Sequence, residues 1–185
     1  MMHLTEVGEL WGTRLSSFKD ISDRYRATLS FWRTYEHIMN FKEQGIDILT
    51  LLVERAHKKK LQIYGSLRLN HSIASDDVEA HDNWQFKIDH PEFCLRGRGK
   101  HNFNFVHPEV RAERFALIEE AVTRYDLDGF ELEFAFSPNY FEEDEVEQNT
   151  PIMTEYLREI RETVEKTAKA RGRPIALGAK ILPTL

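Results

Sequence analysis

Helix-type and strand-type hydrophobic patterns alternate along the chain from residue 45 onward, and this alternation limits the possible folds more than any other feature. An apolar period of 3.6 residues predicts a helix, and strict apolar–polar alternation predicts a strand. The predicted helices are 32–41, 46–60, 108–125 and 150–172, and the predicted strands are 61–70, 102–105, 127–136 and 174–182. Strands that alternate with helices are typical of βαβ units, so we predict an α/β fold with a parallel sheet.

The composition suits such a fold and excludes several classes of protein. A chain of 185 residues, 41% of them hydrophobic, has the size of one domain with a substantial core. Its 25 Lys and Arg against 31 Asp and Glu give a net charge of −6, which argues against a nucleic-acid partner. The single cysteine, Cys94, cannot form an internal disulfide, and we interpret it as structural. We see no signal peptide and no membrane-spanning run, so a cytoplasmic location is the default expectation.

Polar side chains lie where the predicted strands end. In a parallel sheet with helical crossovers the carboxyl ends of the strands meet at one edge, and that edge carries the chemistry. The polar residues at these ends are Arg68, Asn70, Asn104, His107, Glu131, Glu133 and Lys180. We predict that they contribute to the functional site.

Glu131 and Glu133 are the sharpest of these signals. Residues i and i+2 of a strand point to the same face, with Cα atoms about 6.5–7 Å apart. Two carboxylates this close favour a proton on at least one of them, as a general acid requires. The structural alternative is that one of them pairs with Arg68 or Lys180. The opposite face of the strand would pack against helices and consists of Phe130, Leu132, Phe134 and Phe136.

A metal site is a weaker alternative. Asp126 and Asp128 could join the two glutamates and His107 as ligands, but they lie at the opposite end of the strand. The sequence contains no His-Glu-x-x-His pattern, and we predict neither a metal nor a cofactor. The basic stretch 96–100 lacks the phosphate-loop pattern, and contact with RNA stays open as an alternative for it.

Two segments of the chain resemble a known family. Residues 104–111 read NFVHPEVR and residues 124–134 read RYDLDGFELEF. These segments are similar to the pattern of the family-ten-type glycosyl-hydrolase-like (β/α)8 barrel proteins. Members usually carry Asp where Glu133 stands, so the carboxylate here is shifted by about 1 Å, which matters at the scale of catalytic geometry. A more distant likeness to chitinase-type barrels is disfavoured because Ala135 stands where that family has its acid.

The resemblance implies a partial (β/α)8 TIM-type barrel that hydrolyses a polysaccharide or an oligosaccharide. Glu133 would protonate the leaving glycosidic oxygen, and Glu131 would assist it or bind a hydroxyl. Substrate binding would then fall to Arg68, Asn70, Asn104, His107 and Lys180, with Trp84 or Tyr140 stacked on a pyranose ring. The alternative is a non-catalytic carbohydrate-binding or vestigial barrel protein.

The length sharpens this expectation, because a complete (β/α)8 barrel typically needs about 250 residues. We therefore expect residues 1–185 to form a single barrel-type domain that lacks the C-terminal βα units. An open half-barrel exposes a sheet edge, so a homo-oligomer is expected if the chain is complete. If instead the N-terminus is truncated, a secretion signal would be missing and the protein would be secreted.

Overall fold

The computed structural model describes residues 37, 40–76 and 85–183. Residues 40–43 are helical, which agrees with the end of the predicted helix 32–41, and the rest of that prediction lies outside the described residues apart from residue 37. The helices that follow are α1 (Ile48–Lys58), α2 (Gln85–Asp89), α3 (Pro108–Arg124) and α4 (Val146–Arg171). The strands are β1 (Tyr64–Arg68), β2 (Gly129–Glu133) and β3 (Ala176–Lys180), and short 3-10 helices lie at Pro91–Phe93 and Glu143–Glu145.

The three strands form one parallel sheet in the order β1-β2-β3, as the alternating pattern predicted. The central strand β2 aligns Glu131 with Ser66 of β1 and Gly178 of β3. One step further along, Glu133 aligns with Arg68 and Lys180. Each strand has five residues, fewer than predicted.

The predicted strand at 102–105 is wrong. Phe103 makes a single isolated bridge outside the sheet. Its N–H donates to Asn70 Oδ1, and the N–H of Phe105 donates to the carbonyl of Tyr140, each at 2.8 Å. Because these acceptors lie on different segments, no continuous ladder forms. The segment is instead a buried loop at the carboxyl edge of the sheet, and burial explains its alternation of Asn and Phe.

Local signals account for where the helices begin and end. The side chain of Asp47 caps α1 by accepting from the N–H groups of Leu49 and Thr50 at 3.0 and 3.2 Å. Helix α4 ends at Gly172, whose φ of 68° is the left-handed conformation that glycine adopts readily. The predicted start of α4 at 150 is wrong. The helix begins at Val146 and accommodates Pro151 near its first turns, where a single intrahelical hydrogen bond is lost.

One face of the sheet packs against α3 and α4 and forms the core. Phe130 and Leu132 of β2 are 2% exposed, as predicted. The other face carries alternate residues of all three strands, and we call it the open face. Its members are Tyr64, Ser66, Arg68, Gly129, Glu131, Glu133, Ala176, Gly178 and Lys180. The open-face residues of β1 and β3 are exposed, so both predicted carboxylates lie on the side of the sheet that faces away from the core.

Candidate functional site

Glu133 ends the central strand and is only 8% exposed, even though it belongs to the open face. Its Oε1 accepts a hydrogen bond from the N–H of Phe136 at 2.8 Å, because the chain turns back immediately after the strand. Its Oε2 lies 3.8 Å from Nε of Arg68 on the neighbouring strand. The carboxylate is therefore held in one orientation by a backbone donor on one side and a guanidinium on the other.

Glu131 lies two residues earlier on the same face. Its Oε1 accepts a hydrogen bond from the Ser66 hydroxyl at 3.0 Å, and its side chain is half-buried. The structure thus places the two predicted carboxylates together on one face of the sheet, in consecutive rows. Ser66 was not among the predicted site residues, although its position two residues before Arg68 was a usable signal.

Arg68 and Lys180 flank Glu133 on its two sides. The Arg68 side chain is 42% exposed, and its guanidinium carbon lies 3.7 Å from the ring centroid of Phe136. Lys180 is exposed at the same row of β3. Phe136 was predicted to pack against helices, and that prediction is wrong. The strand ends at Glu133, so the ring lies beyond the ladder, stays 46% exposed and supports Arg68.

Asn70 and Asn104 serve the fold of the surrounding loops. Asn70 is fully buried, and both of its amide protons and its oxygen bond loop backbone. Asn104 is 7% exposed and accepts from the N–H of Val106 at 3.1 Å, a local turn contact. The Asn70 amide has no free hydrogen-bonding capacity for a sugar hydroxyl, so the geometry gives its predicted binding role no support. The binding role of Asn104 stays a prediction.

His107 and Tyr140 pack within aromatic groups. The His107 ring lies 4.8 Å from that of Phe93, just before α3. Tyr140 meets Phe105 and Phe134 edge-on, with its hydroxyl donating to the carbonyl of Phe134 at 3.3 Å. Burial, together with the negative charge of Glu133, raises the pKa of the Tyr140 hydroxyl. The Tyr140 hydroxyl therefore stays neutral, and Tyr140 lies near Glu133. The predicted stacking residue Trp84 lies outside the described residues.

The basic stretch 96–100 is paired with an acidic one. The backbone N–H groups of Arg96 and Gly97 donate to the carboxylate of Glu142 at 2.8 and 3.2 Å. Arg98 lies 3.3 Å from Glu143 in an exposed ion pair. Part of the basic loop is therefore engaged in contacts within the protein, and RNA binding stays an alternative for it.

A cavity of about 470 Å³ lies beside this loop and contains none of the predicted site residues. Its lining includes Arg96, Lys100, Glu92 and Cys94. Burial raises the pKa of the Cys94 thiol, which keeps the sulfur protonated and fits its structural interpretation.

Asp126 and Asp128 are far from forming a metal site with the glutamates. Both contact Arg173 at the amino end of β2, and Asp128 also lies 3.0 Å from His57. Over residues 37, 40–76 and 85–183, no group of three or more His, Cys, Asp or Glu side chains is arranged to hold a metal ion.

None of the helices in the described ranges combines the length and the apolar character that crossing a membrane requires.

Comparison with known proteins identifies the family. A model of the glycosyl hydrolase-like 10 family matches residues 19–166. No curated protein matches the chain significantly. Among solved structures, the galactosidase domain of alpha-galactosidase-sucrose kinase, AgaSK, is similar at 16% identity and a TM-score of 0.44, over 76% of this chain and 18% of that chain. The family match spans most of the chain and includes both 104–111 and 124–134, so the chain belongs to the glycosyl hydrolase-like 10 family.

Proposed function

We propose that this glycosyl hydrolase-like protein cleaves a polysaccharide or an oligosaccharide by carboxylate acid/base catalysis. The observation that carries the proposal is the position of Glu131 and Glu133 on the open face of β2, at the carboxyl end of a parallel sheet. Active sites of parallel α/β folds lie at that edge, and glycoside hydrolysis depends on carboxylates. Membership of the glycosyl hydrolase-like 10 family supports the same reaction class.

In the proposed reaction Glu133 donates a proton to the glycosidic oxygen as the bond to the leaving sugar breaks. Its fixed orientation favours this role, because proton transfer requires a donor within about 2.6–3.2 Å of the oxygen. Glu131 binds a hydroxyl of the sugar or acts with Glu133 on the charge that develops in the transition state. Of the predicted binding residues, Arg68 and Lys180 have exposed side chains in the row of Glu133 and are the proposed substrate contacts.

We also propose that the sheet is part of a (β/α)8 barrel within a single domain. Support comes from the strand order, since each strand pairs with the next one along the chain, as in a barrel. The polar open face would then line the barrel interior near its mouth. Self-association of the chain stays a prediction of the sequence.

A carbohydrate-binding protein without turnover is the second candidate function. One observation favours it: both oxygens of Glu133 already face partners within the fold, the N–H of Phe136 and the guanidinium of Arg68. A carboxylate with those contacts can be purely structural. The two candidates differ in whether the removal of the carboxylate changes turnover.

The test is the release of reducing sugar from a panel of plant and algal polysaccharides. We expect Glu133→Gln to lower the rate about 10²- to 10⁴-fold, the usual contribution of a general acid, while it retains glycan binding. Glu131→Gln is measured alongside it to show whether the second carboxylate takes part. Glu147→Gln, an exposed residue of α4, is the matched control and should leave the rate unchanged.

The outcome separates the two candidates. If wild type and Glu133→Gln both bind a glycan and neither releases sugar, the protein is a binding protein. If Glu131→Gln and Glu133→Gln both release sugar at the wild-type rate, the proposal that these carboxylates catalyse the reaction is wrong. Far-ultraviolet circular dichroism on each variant establishes that the fold is retained.

A further inference from the structure

We infer that Arg68, supported by Phe136, is a receptor for a carboxylate group, and that the saccharide bound at the open face is therefore acidic. This inference rests on the proposed function and names its substrate class. Three features of the described structure carry it: the guanidinium is fixed in place, its donors are free, and a second cation lies in the same row.

The guanidinium is fixed by a closed set of three contacts. The N–H of Phe136 holds Glu133 at 2.8 Å, and Glu133 lies 3.8 Å from Nε of Arg68. Arg68 in turn covers the ring of Phe136, with its central carbon 3.7 Å from the ring centroid. Cation–π contact with an aromatic face restrains the plane of a guanidinium. The Arg68 side chain then loses less conformational entropy when its guanidinium binds a ligand.

The donors of Arg68 remain available to a ligand. The separation of 3.8 Å between Nε and Glu133 exceeds hydrogen-bond distance, and no acceptor within the described residues bonds the terminal nitrogens. The side chain is 42% exposed at the edge where substrate would arrive. A planar guanidinium with two parallel N–H groups matches a carboxylate in a bidentate manner, which a sugar hydroxyl cannot reproduce.

Lys180 adds a second positive charge to the row. Register pairing places Arg68, Glu133 and Lys180 side by side on β1, β2 and β3, so two cations flank one carboxyl group in a chain of net charge −6. Glu131 lies one row further from the edge and is bonded to Ser66. An anionic sugar can therefore approach Glu133 because cations flank the glutamate on both sides.

The test measures binding of three carboxylated polysaccharides, which are polygalacturonate, alginate and hyaluronan. Each is compared with its carboxyl-reduced, neutral form and with a sulfated glycan that has no carboxyl group. We expect at least one acidic polysaccharide to bind wild type at least tenfold more tightly than its reduced form. Arg68→Gln should weaken that binding about ten- to hundredfold, since it removes charge-assisted hydrogen bonds.

Two further variants make the result specific to the guanidinium. Arg68→Lys keeps the charge but lacks the planar fork, and we expect it to recover only part of the affinity. Arg98→Gln removes an exposed cation that pairs with Glu143 in the basic loop, and we expect it to bind as wild type does. Urea unfolding of each variant separates loss of the receptor from loss of the fold.

The inference and the proposed function fail in different ways. Hydrolysis of a neutral glycan that depends on Glu133 but not on Arg68 would overturn the acidic substrate and leave the reaction class intact. If the protein binds the sulfated glycan and none of the carboxylated polysaccharides, the inference that Arg68 receives a carboxylate group is wrong. Absence of binding to every polysaccharide would overturn both, and loss of carboxylate binding in Arg98→Gln as large as in Arg68→Gln would overturn the assigned receptor.

Discussion

At the residue scale, Asn70 shows how a polar residue at the end of a strand can belong wholly to the fold. Its Nδ2 donates to the carbonyls of Phe103 and Asn139 at 3.0 and 2.9 Å, and its Oδ1 accepts from the N–H groups of His71 and Phe103. These contacts use all four hydrogen bonds that an asparagine side chain can form. Arg68, two residues earlier, has the opposite character, because its side chain is 42% exposed and no acceptor among the described residues bonds its terminal nitrogens.

We expect Asn70→Ala to lower the free energy of unfolding by at least about 2 kcal/mol, because the buried N–H of Phe103 would lose its acceptor. Urea denaturation at neutral pH measures the change. Asn40→Ala is the control. Asn40 is exposed, and among the described residues its side chain bonds that of Gln44 alone, so its loss should change the free energy by no more than about 0.5 kcal/mol. Equal destabilisation by the two substitutions would contradict the role given to Asn70.

At the element scale, two glycines of the sheet, Gly65 and Gly178, have different surroundings. A Cβ on Gly65 of β1 would lie 2.8 Å from ring atoms of Phe130 and 3.0 Å from Leu127, both of which are core residues. A Cβ on Gly178 of β3 would meet nothing within 4 Å. The absence of a side chain at Gly65 therefore lets Phe130 fill the space between β1 and the helices.

Gly65→Ala should destabilise the protein by about 1–3 kcal/mol, the usual effect of overpacking a well-filled core. Gly178→Ala is the matched substitution on the same sheet and should be neutral or slightly stabilising, because alanine loses less backbone entropy than glycine on folding. Thermal and urea unfolding of the two variants provide the comparison. A larger loss of stability in Gly178→Ala would show that the open face is packed rather than open.

At the scale of the whole molecule, one charged cluster connects segments that are far apart in sequence. Asp128 accepts from the N–H of Ile63 at 2.8 Å, lies 3.0 Å from His57 of α1, and contacts Arg173 just before β3 at 3.1 Å. Arg173 also pairs with Asp126. Burial disfavours the charge of Asp128, but the hydrogen bonds from Ile63 and His57 and the charges of His57 and Arg173 outweigh it, so the pKa of Asp128 is lowered.

The lowered pKa predicts the pH dependence of stability. A carboxylate whose pKa falls on folding stabilises the protein at pH values above the pKa of the unfolded state, near 3.9. This stabilisation is lost as the pH falls through the lower pKa of the folded state. We expect Asp128→Asn to lower the free energy of unfolding by about 1–3 kcal/mol at pH 7. The difference in this free energy between wild type and variant should become smaller as the pH is lowered below about 4. Urea unfolding from pH 7 to pH 3 measures this, with Asp144→Asn, an exposed residue, as control. A difference that stays constant across that range would contradict the linkage.

Much of this organisation could be predicted from the sequence. The periods of 2 and 3.6 identified α1, α3 and the three strands of the parallel sheet, and the motifs at 104–111 and 124–134 identified the family. The strand at 102–105 was mispredicted because its Asn and Phe side chains alternate for another reason, namely burial in a loop. The start of α4 was mispredicted because Pro151, a usual marker of a first turn, lies further inside the helix.

The hydrophobic pattern alone predicts which side chains share a face, because strand alternation is a local property of the backbone. Glu131 and Glu133 could therefore be placed together before any contact was known. Which polar residues have free hydrogen-bonding groups depends on contacts between distant segments. The partners of Asn70 lie 33 and 69 positions away, and Phe136 supports Arg68 across two strands. Periodicity cannot reveal such contacts, because the hydrogen-bonding capacity of a side chain depends on what the rest of the chain brings next to it.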